Sequence, residues 1–303
     1  MRRKKEQVAM NYMKKSTASR IFDFCNAVFM IVFCITILFP LWDVIVKSLS
    51  RPQDISYMNL NLIPKHITFE AYRYSLENAG VFQAAVVSVA RTVVGTLIHL
   101  GIVSMAAYAL TKPQMPYIKI IQAYFLIPMF VGAGTIPVYL NMKDLGLINT
   151  FWVYILPTGF SMYNCIIVRN YFFSIDRGME ESASIDGASQ FRIFGSIILP
   201  LSKPVLATVA LWQMVGQWNA WFDNMLYNAQ NENLRTLQYM LRRMMERMET
   251  SGTPAVEGLM IMDVTEDTVK AAVTVIVIVP IMCVYPFIQK YFVKGIMVGA
   301  VKG

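Results

Sequence analysis

Six apolar runs, each near the roughly 20 residues needed to cross a bilayer, constrain this chain more than any other feature. They lie near Phe24 to Val46, Ala84 to Leu110, Tyr117 to Leu140, Phe151 to Phe173, Val205 to Tyr227 and Ala271 to Phe292. In lipid each run must satisfy its own backbone hydrogen bonds, so each is expected to be helical. Composition agrees: of 303 residues 56% are hydrophobic and 15% charged, more apolar than an ordinary soluble domain. The first run is not followed by the A-x-A-like site of a cleaved leader, and its core is too long for one, so it reads as an uncleaved span. The expected fold is an all-α membrane protein of six transmembrane helices: residues 1–23 as an N-terminal segment, 24–293 as the helical domain, 294–303 as a tail. Pro128, Gly132, Gly134 and Pro137 interrupt the third run and Pro280 and Pro286 the sixth, so kinks are expected there.

Charge sets the orientation. The net charge of +8 would suggest nucleic acid in a soluble protein; in a membrane protein it marks the cytoplasmic face, and no nucleic-acid partner is expected. With the N-terminus inside, 16 Lys and Arg fall in inner segments and nine in outer ones, and most acids are outside. Both termini are therefore expected in the cytoplasm of a multi-pass protein of the cytoplasmic membrane, with segment 174–204 inside and segment 229–268 outside. Cys25, Cys34, Cys165 and Cys283 sit in apolar runs without CxxC spacing or a histidine cluster, and read as small buried hydrophobes.

The chemistry is defined by absences. No GxxxxGK[ST] phosphate loop and no HExxH motif occurs, and the two histidines, His66 and His99, lie far apart in sequence. Glu180 and Glu181 are adjacent carboxylates, but no nucleophile accompanies them. The chain is expected to bind no cofactor or metal and to be no enzyme.

One polar segment between two apolar runs, EESASIDGASQFRIFGSIILPLSKP from Glu180 to Pro204, carries a specific pattern. Glu181, Ser182, Ala183, Gly187, Ile197, Leu199 and Pro200 follow the E-A-A, Gly, I-x-L-P spacing of the cytoplasmic motif of binding-protein-dependent ABC importers, with Ser182 replacing the usual Ala. AAYAL at Ala106 to Leu110, WNAWFD at Trp218 to Asp223, and the tail from Pro286 to Gly303 resemble the carbohydrate-uptake branch, and within it the permeases of Gram-positive polysaccharide-utilisation systems. The resemblance covers nearly the whole chain. It implies a type I ABC importer permease fold with a cytoplasmic coupling helix. It also implies a second homologous permease, an ATPase dimer that binds ATP and Mg, an extracellular solute-binding protein, and an oligosaccharide moved inward by alternating access. Two other classes stay in view: an ion-coupled secondary transporter, whose ionisable coupling site and paired broken helices are represented here only by the breaks of the third run, and a non-transporting assembly subunit.

Site residues follow from both sources. Coupling to the ATPase falls on Glu181, Ala183, Asp186, Gly187, Ala188, Phe191, Ile197, Leu199 and Pro200. Ile185, Ala188 and Phe191 share one face if a helix continues through Gly187, and are divided if it breaks there. Glu181 is expected to meet a basic residue of the ATPase, and Asp186 to cap a second short helix. A substrate path is expected along Arg91, Gln213, Gln217, Trp218, Asn219 and Trp221, a mixture of flat apolar faces and hydrogen-bonding groups, although tryptophans also form interfacial belts. A lipid-facing Arg91 would cost about 2.5 to 3.5 kcal/mol on insertion scales, so it lines a hydrated cavity, pairs across two permeases, or snorkels outward. The resemblance assigns Gly252, Pro254 and Gly258 to contact with the binding protein. The Leu/Met stripe from Leu234 to Met248 reads as bundle packing and as an adaptable docking surface for an external partner, neither excluding the other, and the tail is either a flexible end or an ATPase contact.

Overall fold

The computed structural model describes residues 17–55, 62–77, 80–250 and 264–300. The first helix, α1 (Thr17–Ser48), and α3 (Val81–Ala109) are each long and apolar enough to cross a bilayer unaided. Between them lies the short α2 (Glu70–Glu77). Three further helix pairs are long and apolar enough only when taken together, and are bent: α4 (Ile118–Phe130) with α5 (Thr135–Asp144) at 117°, the segment Phe151–Thr158 with α6 (Met162–Phe173) at 51°, and α8 (Gln190–Leu201) with α9 (Lys203–Asn219) at 81°. The chain also forms α7 (Arg177–Ile185), α10 (Phe222–Tyr227), α11 (Leu237–Thr250) and α12 (Glu266–Ala300). Among the described residues the only bridge between extended segments is the isolated Ser50–Ile67 pair.

α3 shows why the helices assemble as they do. Its buried residues, among them Val81, Ala84, Ser88, Arg91, Thr92, Gly95, His99, Val103 and Ala107, recur at three- and four-residue spacing and form one helical face. That face holds Arg91, Thr92, Thr96, His99 and Ser104, whereas the opposite face exposes Phe82, Val86, Val89, Val93 and Leu97. Polar groups point inward and apolar ones outward, the arrangement a low-dielectric surround requires, because unpaired polar groups cost most in lipid. Buried residues of α3 enter all three apolar clusters: Val81 and Ala84 with α11 and α12, Val87 with Tyr154 and Tyr227, and Val103 to Tyr108 with α6, α8 and α9. α3 is thus the axis on which the rest is hung.

Backbone chemistry accounts for the breaks. Residues 131–134 leave the helix between α4 and α5, with Gly134 at φ +83°, a region glycine enters without penalty. Pro280 and Pro286, by contrast, lie inside a continuous α12 of 35 residues, so neither ends the helix. The tail follows the same helix as far as Ala300, not a loose end from Lys294.

Part of the Leu/Met stripe packs on the bundle: Leu237 and Leu241 are buried, and Met240, Met244 and Met245 press on the same cluster as α12. Only Cys165 is a buried cysteine; Cys25, Cys34 and Cys283 are exposed on the apolar exterior, contrary to expectation, because the helices bearing them turn those positions away from the bundle. Trp218 sits in the α9–α12 contact and donates from Nε1 to the Val277 carbonyl at 3.0 Å. Trp218→Phe keeps the ring and removes this bond, and is expected to lower stability by about 1 kcal/mol, read as a reduced melting temperature of the detergent-purified protein.

Candidate functional site

The polar segment singled out in the sequence is two short helices, not one. α7 starts at an Asp176 cap, whose carboxylate accepts from Gly178 N at 3.0 Å. It closes at Gly187, φ +79°, with Ala188 N bonded to Ala183 O at 2.9 Å and Gly187 N to Ser184 O at 3.1 Å. Those two bonds and a left-handed glycine are a Schellman stop. A Cβ on Gly187 would meet nothing within 4 Å, so the demand for glycine comes from the backbone alone. α8 is capped by Ser189, whose hydroxyl accepts from Arg192 N at 3.4 Å; Asp186, expected in that role, instead ends α7. A π turn over Phe194–Ile198 and Leu199–Leu201 around Pro200 then lead into the 81° bend before α9.

The break at Gly187 divides the expected docking face. Ala183 and Ala188 pack inward on the cluster of α6 and α9, with Ile197 beside them. Ile185 and Phe191 are 86% and 82% exposed, and Glu181 is exposed on the same segment.

The segment is gripped from below by the Ala109 end of α3. Lys112 forms an ion pair with Glu180 and lies 4.0 Å over the Tyr108 ring. Tyr108 donates from its hydroxyl to Gln190 Oε1 at 3.0 Å and packs on Phe194 at 5.1 Å. Burial opposes the Lys112 charge, but hydrogen bonds to Glu180 and Tyr108 outweigh it and raise its pKa above the usual lysine value. Raised this way, the charge and the stability it contributes persist at all pH values below the ordinary lysine range and are lost only above it. A cavity of about 220 Å³ opens beside the pair, lined by Thr111, Lys112, Phe172, Arg177, Glu180 and Glu181.

A second polar centre lies toward the Val81 end. Arg91 is 1% exposed. Its Nε and Nη2 donate to Gln217 Oε1 at 3.0 and 2.9 Å, Nη1 to the Ala220 carbonyl at 3.4 Å and to Asp223 Oδ1 at 3.2 Å, and Nη2 to Asp223 Oδ2 at 2.5 Å. Its five N–H groups are all used. The guanidinium also stacks over Tyr154 at 4.3 Å. Gln217 passes the network on, donating to Tyr154 O at 3.2 Å and Thr158 Oγ1 at 2.7 Å. Gly95 leaves it room, since a Cβ there would stand 2.9 Å from Gln217 Nε2. Asn164 Nδ2 donates to His99 Nε2 at 2.9 Å, so His99 is protonated on Nδ1, which donates to Thr158 O at 2.8 Å.

The expected path residues therefore separate. Arg91 and Gln217 are committed to this network, and Trp218 to packing against α12. Arg91 finds its partner within its own chain. Gln213 is half-buried with a 3.5 Å contact to Thr158 O, Asn219 is exposed, and Trp221 carries Arg242 at 5.2 Å over its ring. Gly252, Pro254 and Gly258 lie outside the described residues. Sequence reasoning missed Lys112, Tyr108, Glu180 and Gln190 at one end, and Tyr154, Thr158, His99 and Asn164 at the other. The signal for one of these was present: His99 shares one helical face with Arg91 and the threonines between them inside an apolar run.

Residues 8–222 match the family model of the binding-protein-dependent transport system inner membrane component, and the chain belongs to that family. It is 38% identical to Protein LplC of Bacillus subtilis, over 96% of this chain and 98% of LplC. It is 33% identical to the polygalacturonan/rhamnogalacturonan transport system permease protein YtcP of the same organism, over 94% and 99% of the two chains. Among solved structures it resembles a chain of a bacterial ABC transporter involved in import of the acidic polysaccharide alginate, with TM-score 0.82, 31% identity, and coverage of 91% of this chain and 98% of that one. The family indicated by the Glu181 to Pro200 spacing is the family found.

Breaking the buried pair from one side leaves a guanidinium without its counter-charge, whereas replacing both partners does not. Asp223→Ala is expected to destabilise the protein by about 3 to 5 kcal/mol, and Arg91→Met with Asp223→Leu to recover most of that loss. Thermal unfolding of the three purified proteins in detergent measures both.

Proposed function

We propose that this chain is the transmembrane permease subunit of an ATP-driven importer, passing an oligosaccharide from an extracellular binding protein to the cytoplasm by alternating access. The observation that carries the reading is the α7–α8 segment: two short helices held at their base, with Ile185, Phe191 and Glu181 turned outward and unburied. An 86% exposed isoleucine beside an 82% exposed phenylalanine on a rigid projection fits a partner's groove better than solvent. A chain without a phosphate loop must take ATP-driven motion through such a contact, here with an ATPase dimer that binds ATP and Mg.

In this reading six crossings, α1, α3, the three bent pairs and α12, place both termini and α7–α8 in the cytoplasm. A second homologous permease completes the path. Gln213, Asn219 and Trp221, near the α9–α10 break, keep groups free for a sugar, while Arg91, Gln217 and Trp218 hold that break in shape. Contact with the binding protein falls to Gly252, Pro254 and Gly258. Oligosaccharide as cargo is supported by the names of the relatives, which include permeases for melibiose/raffinose/stachyose and arabinooligosaccharides.

Gly187→Asp tests the coupling. Aspartate is among the side chains that tolerate left-handed backbone, and the surrounding space is open, so the variant should insert. Uptake of labelled oligosaccharide and binding-protein-stimulated ATP hydrolysis in proteoliposomes are expected to fall by about fivefold or more; wild-type rates in both would refute the reading. Thermal protection of the cognate binding protein by a panel of oligosaccharides identifies the cargo.

A further inference from the structure

We propose that Lys112 and Glu180 are positioning residues that fasten the α7–α8 segment to α3, and that α3 carries its displacement as a strut to the α9–α10 break beside Asn219. The inference rests on the coupling reading above and adds the route within this chain.

Three observations support the route. First, α3 is one uninterrupted helix of 29 residues, whose stretch from Arg91 to Ala109 spans about 27 Å at 1.5 Å per residue, whereas the helix pairs on either side of the polar segment, 151–173 and 190–219, are bent by 51° and 81°. A straight helix transmits a push along its axis; a bent pair absorbs it at the bend. Second, α3 is clamped by directional polar contacts at its Ala109 end and again at Arg91, about a third of the way along from Val81. At the Ala109 end Lys112, in the turn just past α3, pairs with Glu180 of α7, and Tyr108 on α3 itself bonds Gln190 of α8. At the second clamp Arg91 grips the break itself: Gln217 on α9, the Ala220 carbonyl in the extended residue between the helices, and Asp223 on α10. Third, the Lys112 and Glu180 side chains are only 24% and 26% exposed. The pair is therefore screened less than a surface pair, whose worth is small. Ala220 is extended, φ −70° and ψ 126°, so two short helices meet at a single non-helical joint held by one guanidinium. Displacing α3 moves that guanidinium, and the joint follows.

The test uses the whole importer complex purified through this chain, with Cys25, Cys34, Cys165 and Cys283 replaced and Asn219→Cys introduced. The rate at which residue 219 reacts with a membrane-impermeant maleimide is compared between nucleotide-free and ATP–vanadate-trapped complexes. With Lys112 and Glu180 in place the two rates differ. Lys112→Glu and Glu180→Lys, and the neutral pair Lys112→Gln and Glu180→Gln should a reversal prevent assembly, are expected to shrink that difference by about fivefold. The exchange Lys112→Glu with Glu180→Lys is expected to restore it, a rescue that a general loss of stability does not give. Single variants that keep the full difference, or an assembled exchange variant that fails to restore it, overturn the strut while leaving the coupling reading intact. No nucleotide-dependent difference with both residues native, in a complex where Gly187→Asp also has no effect, overturns the coupling reading and the strut together.

Discussion

A charged group buried in a helix that is otherwise apolar dictates much of this architecture. Arg91 at 1% exposure is tolerable in a bilayer-sized helix only if every donor is met, and meeting five donors requires acceptors from several directions at once. Gln217 on α9, the Ala220 carbonyl and the Asp223 carboxylate supply them. The helix break at Ala220 is part of this solution, because an unbroken helix would keep that carbonyl for its own ladder. A costly side chain and a broken helix each remove the other's penalty, which ties α3, α9 and α10 into one unit.

The same logic recurs along α3. His99 is satisfied on both ring nitrogens by Asn164 and Thr158, and Tyr108 and Lys112 meet Gln190 and Glu180 at the end. Apolar clusters fill the intervals. In lipid the hydrophobic effect contributes little to helix association, so specificity falls to such bonds and to close packing. The polar side of α3 accordingly fixes which helix lies where, and its apolar side is free to face the surround.

Rigidity and its interruptions are distributed for use. The projecting α7–α8 segment is stiffened by a cap at Asp176, a stop at Gly187 and a cap at Ser189, each satisfying backbone groups that a loose loop would leave to water. Sharp bends between apolar helices fall at the joints between α4 and α5, before α6, and between α8 and α9. α1, by contrast, buries only Val46 and Ser48 in this chain, and its long row of exposed Phe, Ile and Val suits lipid or a neighbouring helix.

How much was legible beforehand depended on the range of the interaction concerned. Local rules determined the helical class and the interruption near Gly132 and Gly134, but drew the first and last runs shorter than the helices Thr17–Ser48 and Glu266–Ala300; the family was legible because seven residues within one short segment resemble a known motif. The same rules left Gly187 open between a continuous and a divided helix, and misplaced the α8 cap on Asp186, since capping is decided by a one-hydrogen-bond difference among neighbouring polar residues. Pro280 and Pro286 were read as kink sites, and α12 runs through both as one continuous helix packed against α1, α9 and α11. Only the tertiary structure decided that Arg91 pairs with Asp223 rather than with another chain, that Lys112 meets Glu180, and that His99 is held by Asn164. Partners 132, 68 and 65 residues apart leave no periodic trace in a sequence, since a side chain's need for an acceptor is written locally but the acceptor arrives only when distant helices pack.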